Sequence, residues 1–323
     1  MSRHDPLAYA HWRAAAYVLL VTCSAVEAAS ARAAETDTAA KTAAAQQPSE
    51  EKRAGEDWVR VVRDDKGRPT ALQTAIVLYV PVGKSVDKTT GDLKVDLVGA
   101  IHIGDAAYYE RLNQEFEQYD ALLYELVAPE GTQVPQGGPG TSRHPVGMLQ
   151  HGIKKWLELE HQLVKIDYTK KNFVHADMSP EQFAKSMKAR GESFLQMLFR
   201  MMGQSLAMQS KLQAKGKATE FDLLAALLAK DRARQLKIIM SEQFEEMESL
   251  LVSLGGPDGS TIIAGRNQVA LKVLKEQIAA GKTNVAIFYG AGHMQDMDRR
   301  LREQFKLRPV KTRWVTAWDM KGD

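Results

Sequence analysis

The order of apolar and polar residues along this chain predicts the same unit twice: a strand, a glycine-containing turn and a helix. In the first unit, apolar residues up to Ile101 precede His102, and apolar side chains at helical spacing follow over about 105–118. In the second unit, the apolar residues 285–289 precede His293, and another helical stripe follows. Each histidine ends a Gly-x-x-His sequence, and the two histidines lie about 190 residues apart.

The other apolar runs predict a mixed sheet around these two units. Residues 58–63 and 71–80 are strand-like, and the second of these segments is expected to pair with 93–102 as an antiparallel hairpin. The nearly continuous apolar run 121–127 is typical of a strand buried on both faces, a parallel partner of the first Gly-x-x-His strand. Residues 310–318 alternate between apolar and more charged positions, which predicts an edge strand.

The predicted fold class is therefore α/β: a mixed sheet with two strand–Gly-x-x-His–helix units flanked by helices, plus a helical insertion. The insertion covers about 180–254, and Ser179 followed by Pro180 predicts its start. Its methionine-rich stripes indicate either a packing core or a groove for peptide or lipid. Residues 146–164 are also expected to be helical, whereas 129–145 are rich in proline and glycine and predict a long loop.

Polar residues at the predicted strand ends are the candidates for a site. Ligands of open α/β sheets bind at the carboxyl ends of the strands, so we expect His102 and His293 to meet there. Glu125 lies in a buried run, where a carboxylate must be ion-paired, metal-bound or protonated. His175 and Asp177 end another short strand. Either they join the same crevice, or the histidine packs in the core and the aspartate helps to cap the next helix.

These residue types suit hydrolytic chemistry. Histidine and carboxylate ligands without thiolates favour Zn, Mn, Co or Fe, and a catalytic metal site needs about three protein ligands and an open position. Such a metal lowers the pKa of its bound water and polarises a carbonyl group. Arg266, at the head of a predicted helix, can stabilise the charge that develops on that carbonyl. Metal-free acid–base hydrolysis by histidine and glutamate is the alternative.

Two other chemistries fit the sequence poorly. A serine nucleophile is disfavoured because no Gly-x-Ser-x-Gly follows a strand. The glycine turn at 290–292 also resembles an anion-binding turn, but it is too short and lacks the lysine and the third glycine of a phosphate-binding loop.

Residues 1–33 predict a secretory signal peptide. Arg13 precedes an apolar run over 14–26 that is short for a membrane span, and small residues around Ala31 provide A-x-A cleavage sites. An uncleaved anchor and a lipoprotein at Cys23 are the alternatives. After cleavage of the signal peptide, we expect no stable membrane span.

The rest of the chain divides into a linker and one domain. Residues 34–56 lack apolar periodicity and predict a disordered linker, so 57–323 form a single domain. Cys23 is the only cysteine, so a mature chain without it has no disulfide and no thiol chemistry, and we expect a periplasmic or secreted protein. The formal net charge is only +3, and lysine and arginine are interspersed with glutamate and aspartate rather than clustered, which argues against a nucleic-acid partner.

Four sequences carry a family resemblance: Val98-Gly99-Ala100-Ile101-His102, Leu123-Tyr124-Glu125-Leu126, Gly265-Arg266-Asn267 and Gly290-Ala291-Gly292-His293. Together they resemble the TraB/PrgY/GumN family, which includes the TIKI proteases, over roughly residues 93–128 and 260–305. The resemblance implies the erythromycin-esterase/ChaN-like fold, with internal pseudo-symmetry. It also implies that the family's two Gly-x-x-His histidines, its acidic residue and its arginine are His102, His293, Glu125 and Arg266.

Relatives in this family have different activities. The TIKI relatives are divalent-metal-dependent proteases, whereas others limit peptide pheromone activity, hydrolyse a macrolide ester or bind haem. For this chain, the resemblance implies an exported hydrolase, first of all a peptidase, that depends on Mn, Co or Zn and acts on a peptide or small-molecule substrate. The alternatives are a non-catalytic protein on the same scaffold that sequesters a peptide or haem, and an envelope-assembly partner with the methionine-rich helices as its interface.

The sequence thus gives a defined set of site residues. The predicted catalytic residues are His102, Glu125, Arg266 and His293. The predicted metal ligands are His102, Glu125 and His293, with His175 and Asp177 as further candidates. One of the two histidines can instead act as an acid–base group, and the glutamate as a base. The sequence makes no prediction about the oligomeric state.

Overall fold

The computed structural model describes residues 54–55, 57–83, 92–129, 131–132, 134, 159–191, 225–226, 228–241 and 261–322. The predicted signal peptide (1–33) and most of the predicted linker (34–56) therefore lie outside the described residues. So do most of the predicted loop at 129–145 and the larger part of the predicted helical insertion at 180–254.

The described strands and helices, in chain order, are β1 (Val59–Arg63), β2 (Pro69–Pro81), β3 (Lys94–Ala100), β4 (Ile103–Gly104), α1 (Ala106–Phe116), β5 (Ala121–Tyr124), β6 (Glu160–His161), α2 (Gln162–Lys165), β7 (Phe173–His175), α3 (Pro180–Ala189), α4 (232–241), α5 (Arg266–Ala279), β8 (Asn284–Gly290), α6 (Met294–Phe305) and β9 (Leu307–Asp319). A π-helical turn (Thr261–Gly265) precedes α5, and a 3₁₀ turn (Ala291–His293) leads from β8 into α6.

One mixed sheet organises the described residues, which confirms the predicted α/β class. Its strand order is β1-β2-β3-β8-β5-β7, with β9 paired to β2. Strands β3, β8, β5 and β7 run parallel to one another, whereas β1, β3 and β9 pair antiparallel to β2. The two Gly-x-x-His strands are direct neighbours, and Ala100 of β3 is opposite Gly290 of β8. Their carboxyl ends therefore lie side by side, as the sequence predicts.

Strands β1 and β3 pair with successive parts of the same strand, β2. The pairing of β2 with β3 runs from Tyr79 to Ile76, and its pairing with β1 begins at Thr74. The chain can thus leave the sheet after β3 without exposing the edge of β2, because β1 makes the main-chain hydrogen bonds to the part of β2 that β3 does not reach. Long strands β2 and β9 consequently extend past the end of β3 and form a wall beside the strand ends that carry the histidines.

Helices cover both faces of the sheet, which gives two hydrophobic clusters. On one face, α1 packs Tyr109, Leu112 and Phe116 against β3 and β8. On the other face, α5 and α6 pack apolar side chains such as Leu274 and Met297. Successive residues of β8 alternate between the two clusters, so the strand is buried on both sides and its sequence is apolar throughout.

Several local predictions can be compared with the described residues. Strand β5 is parallel to β3, as expected, but β8 lies between them. Ser179 begins α3 with a capping box to Gln182, as its sequence predicts. Asp105 stands at the start of α1 without capping it through its side chain. Residues 159–161 are not helical, contrary to the prediction for 146–164, because β6 pairs there with β4.

Two further observations concern helices. Within the predicted insertion, the described ranges include α3 and α4, which are helical as expected. Among the helices of the described ranges, none has both the length and the apolar composition needed to cross a bilayer.

Candidate active site

The two Gly-x-x-His histidines follow neighbouring strand ends but differ in exposure. His102 comes two residues after β3 and is exposed to solvent. His293 ends the 3₁₀ turn after β8 and is only 5% exposed. The sheet therefore brings together two histidines that are distant in sequence, one of them accessible and the other enclosed.

Gly290 is the point around which the site residues lie. A Cβ atom built on this glycine would be 3.4 Å from Glu125 Oε2 and 3.9 Å from both His102 Nε2 and His293 Cδ2. The backbone of Gly290, at φ −52° and ψ 140°, is open to any L-residue. The glycine is thus not required by a turn conformation; it keeps free the space that three functional side chains face.

Glu125 follows β5 and reaches across β8. Its main-chain N–H donates to Phe288 O at 3.2 Å, and its Oε2 accepts the Gly290 N–H at 2.7 Å. Its Oε1 accepts Arg266 NH2 at 2.6 Å and lies 3.6 Å from His293 Nε2. Burial alone raises the pKa of Glu125, but the positive charge of Arg266, together with smaller contributions that include the Gly290 N–H hydrogen bond, outweighs it, so this pKa lies well below its ordinary value.

Arg266 begins α5 and holds two carboxylates in the interior. Its Nε donates to Asp177 Oδ1 at 2.9 Å and its NH2 to Asp177 Oδ2 at 2.5 Å, while NH2 also reaches Glu125. Burial lowers the pKa of Arg266, but the negative charge of Glu125 and the hydrogen bond to Asp177 raise it by more. The net pKa is above the ordinary value, so the guanidinium stays charged. Within the part of the chain that the structure describes, the remaining nitrogen, NH1, makes one polar contact, at 3.5 Å to His293 Nε2.

Asn267 fixes the orientation and the tautomer of His293. Its Nδ2 donates to His293 O and to Asp296 Oδ2, both at 3.0 Å. Because a carbonyl and a carboxylate can only accept, the amide nitrogen must face them, and Asn267 Oδ1 then faces His293 Nδ1 at 2.7 Å. Nδ1 therefore carries the hydrogen and Nε2 a lone pair. Burial, above all, lowers the pKa of His293 to about 4, so the neutral ring predominates at neutral pH.

The turn that carries His102 is anchored on several sides. The carbonyl of His102 accepts the Gln162 N–H at 3.0 Å. Three residues later, Asp105 pairs with Lys237 of α4 through Oδ1 at 2.6 Å and accepts the Asp319 N–H through Oδ2. The turn is thus held by β6–α2, α4 and β9, although the imidazole itself is exposed.

The other two candidates lie close by but in different roles. Asp177 has a fully buried side chain, both of whose oxygens bind Arg266, so in this arrangement it holds the guanidinium. His175 Nε2 lies 2.6 Å from the carbonyl of Leu126, and its ring packs against Tyr124. The structure does not bring His175 to the space above Gly290.

Sequence reasoning missed Asn267 and the role of Gly290. Asn267 follows Arg266 directly and was noted only as part of the family pattern. A polar residue at the start of a helix, next to a functional arginine, is a signal that could have identified it. The use of Gly290 as open space had no signal in the sequence, because a glycine before a helix is equally typical of a turn.

The donor set can be compared with the needs of a divalent metal. Two imidazoles and one carboxylate suit Mn, Co or Zn, and the Asn267 hydrogen bond leaves the Nε2 lone pair of His293 available, as in metal-binding histidines. Two buried carboxylates against one guanidinium also leave one formal negative charge, which favours a cation. As the side chains stand, however, the described residues contain no group of three or more His, Asp or Glu side chains that could hold a metal ion. The chemistry of the donors therefore fits a metal, while their present spacing does not enclose one.

Comparisons with protein-family models, with curated proteins and with solved structures found no match for this chain.

Proposed function

We propose that this chain is an exported hydrolase that depends on a divalent metal and acts first of all on peptides. The observation that supports this most is the open space above Gly290. Glu125, His102 and His293 come from three separate segments and face one point within 4 Å. Apolar packing does not explain why three polar side chains converge on one glycine, whereas a reacting group held between them would use all three.

Arg266 has the properties of the electrostatic stabiliser. Its Nε and NH2 are held by two buried carboxylates, so the guanidinium plane is fixed before substrate binds. Its NH1, which lies near His293, can still donate a hydrogen bond to a substrate. A preorganised donor of this kind stabilises the negative charge that develops on a carbonyl oxygen.

His293 and Glu125 have different capacities for proton transfer. The neutral His293 ring presents an unprotonated Nε2, which can bind a metal; its lowered pKa makes it a weaker proton acceptor than an ordinary histidine. Glu125 is a poor general base because its pKa is held low, so it acts better as a ligand or as a fixed negative charge. His102, the exposed member, can reach a bound substrate or ion without displacing the core.

The metal is part of the proposal through these same residues. His102, Glu125 and His293 would hold it, and the bound cation would polarise the substrate carbonyl and lower the pKa of its water. Hydrogen-bond support from Asn267 and Gly290 would orient two of these three ligands.

We also propose that the chain belongs to the TraB/PrgY/GumN family, and that its first 33 residues or so direct it to the periplasm or the exterior. The support for membership is the order of the motif residues and their convergence on one sheet edge. N-terminal sequencing of the exported protein tests the second point: cleavage after Ala31 or Ala33 is expected, and an intact N-terminus would contradict it.

The function is tested with purified protein and an internally quenched random peptide library. The protein is treated with EDTA, desalted and reloaded with Mn, Co or Zn, and its bound metal is measured by elemental analysis. We expect nearly stoichiometric metal, hydrolysis only in the reloaded samples, and loss of both in the double variant His102→Ala/His293→Ala. His175→Gln is the matched control, since glutamine can still donate to the Leu126 carbonyl, and it should keep metal and activity.

Each other outcome has a definite meaning. Hydrolysis that survives EDTA would replace the metal mechanism by acid–base catalysis at the same residues. A wild-type protein that binds metal, peptide or haem but hydrolyses no member of the library would contradict the hydrolase and support a binding protein.

A further inference from the structure

A glutamine–tyrosine pair lies beside the proposed active site. The main-chain N–H of Gln162 donates to the His102 carbonyl at 3.0 Å, and its side-chain Nε2 donates to the Tyr168 hydroxyl at 2.9 Å. The Tyr168 ring packs edge-on against Tyr124, the residue before Glu125, with ring centroids 5.1 Å apart. Tyr168 is therefore connected to the turn of His102 on one side and to the strand end of Glu125 on the other.

The pair is buried in an arrangement that packing alone does not explain. Gln162 is 6% exposed and Tyr168 is 8% exposed. The Oε1 atom of Gln162 is buried, and none of the described residues gives it a hydrogen bond. A buried polar atom without a hydrogen bond destabilises the folded state, and a leucine of similar volume would avoid that loss. The amide therefore has another use, and the group that it holds is the phenol of Tyr168.

The hydrogen bond also determines what the phenol can offer. Because Gln162 Nε2 is the donor, the Tyr168 oxygen accepts and its own hydrogen remains available. Among the described residues, the structure gives this hydrogen no acceptor. Burial, above all, raises the pKa of Tyr168, and the nearby negative charge of Glu125 raises it further against the effect of the Gln162 bond. The group is thus a neutral O–H donor at neutral pH.

We propose that Tyr168 is a further catalytic residue, which donates a hydrogen bond to the substrate carbonyl oxygen, with Gln162 as its positioning residue. This inference rests on the proposed hydrolase function. Water adds to the carbonyl carbon, and the carbonyl π electrons move onto the oxygen, whose new negative charge Arg266 NH1 and the Tyr168 hydroxyl stabilise. Tyr168 keeps its proton. The proton released by the attacking water passes to a base of the site and leaves on the amine when the C–N bond breaks.

The test compares two tyrosine variants with the same peptide library. Tyr168→Phe removes the hydroxyl alone, and we expect kcat to fall about 100-fold with little change in KM, as for other single oxyanion donors. Tyr124→Phe is the matched control: its ring touches that of Tyr168, but its hydroxyl has no hydrogen bond in the described structure. It should keep the wild-type kcat.

Gln162→Leu tests the positioning role separately. It keeps the main-chain bond to His102 and removes only the amide, so kcat should fall about 10-fold, a scale typical of residues that orient a functional group. The double variant Tyr168→Phe/Gln162→Leu should lose no more than Tyr168→Phe, because the glutamine acts through the phenol. A purely structural glutamine would give additive losses and a lower melting temperature.

The outcomes separate this inference from the function on which it rests. A wild-type protein without hydrolysis contradicts both, and this is known before any variant is made. An active wild type with Tyr168→Phe equal to Tyr124→Phe, or with a loss confined to KM, overturns the role of Tyr168 alone. If Tyr168→Phe does not fold, Gln162→Leu decides, and an unchanged kcat in that variant overturns the proposal.

Discussion

The two Gly-x-x-His units have the same sequence pattern and neighbouring strands, yet they present their histidines in opposite ways. After β8, a 3₁₀ turn passes directly into α6, and His293 is enclosed with its ring fixed by Asn267. After β3, the chain forms β4 before α1 begins, and His102 stays exposed.

The glycines of the two units differ in the same way. A Cβ on Gly99 would meet Ala75 O, Met294 Cγ and Trp58 O, which are packing atoms. A Cβ on Gly290 would meet side-chain atoms of the candidate residues Glu125, His102 and His293. The motif therefore gives the strand-end position of a histidine, while its surroundings decide whether the residue is a fixed group or an accessible one.

The largest expected effects come from replacing the two histidines, and the two variants should differ in their free energy of unfolding. We expect His102→Ala and His293→Ala each to lower the rate of peptide hydrolysis about 10³-fold, because both face the same space. Only His293→Ala should lower the free energy of unfolding, by about 2–3 kcal/mol, since it leaves a cavity and an unpaired Asn267 Oδ1. Urea unfolding followed by circular dichroism measures this difference. A similar destabilisation of His102→Ala would contradict the assignment of this residue as an accessible group.

Asn267 is responsible for the fixed geometry of the second unit. Asn267→Leu should lower the rate about 10- to 100-fold and the free energy of unfolding by about 2 kcal/mol, because His293 loses its partner and can rotate. Asn172→Leu is the matched control, since this asparagine donates to two carbonyls at the opposite edge of the sheet. It should lose stability with no loss of rate. Equal rates for the two variants would contradict the orienting role of Asn267.

The enclosure of His293 also predicts a pH dependence that the metal-free protein should have. Its pKa is lowered from 6.5 to about 4 in the folded state, so the unfolded chain binds the proton more readily. The resulting stability is complete above about pH 6.5 and is lost as the pH falls toward 4, by at most about 1.4 kcal/mol per pH unit. Glu125 acts in the same direction but below its ordinary pKa of 4.5, so its contribution lies in a more acidic range.

Chemical denaturation between pH 7 and pH 5, in the presence of EDTA, measures the histidine contribution. In His293→Gln the slope of stability against pH should be smaller than in the wild type. An unchanged slope would mean that the imidazole is not the group that resists protonation.

The fold could be predicted from the sequence where one local pattern determines one element. The apolar runs before His102 and His293 predicted β3 and β8, and the residues Ser179 and Pro180 predicted the start of α3. The position of β8 between β3 and β5 could not be predicted in the same way. All three strands are almost entirely buried and mainly apolar, so their composition does not distinguish a direct neighbour from the next strand along.

The site divides along a similar line. The identities of Glu125 and Arg266 followed from their chemistry, because a charge in an apolar run or beside a motif needs a reason. The ion pair of Asp177 with Arg266 did not follow, since it joins residues 89 positions apart and depends on how β7 meets α5. Gln162 was missed because residues 146–164 were expected to be an ordinary helix, and Tyr168 was missed because it lies beyond that segment, where no element was predicted.

The smallest predicted effect concerns the two glycines. In Gly290→Ala the backbone accepts alanine, and the new methyl group lies 3.4 Å from Glu125 Oε2 and 3.9 Å from the other two groups. The free energy of unfolding should change by less than about 1 kcal/mol, while the rate falls about 10- to 100-fold, because the methyl displaces whatever occupies that space. Gly99→Ala would also place its methyl group in ordinary contact, at 3.4–3.7 Å, but with packing atoms alone, so the free energy of unfolding should again change by less than about 1 kcal/mol and the rate should stay nearly normal. Rates from the peptide assay distinguish the two variants, and urea midpoints check that both remain folded. If Gly290→Ala keeps the full rate, the space above Gly290 is not where the reaction takes place, and the two units would differ in packing alone.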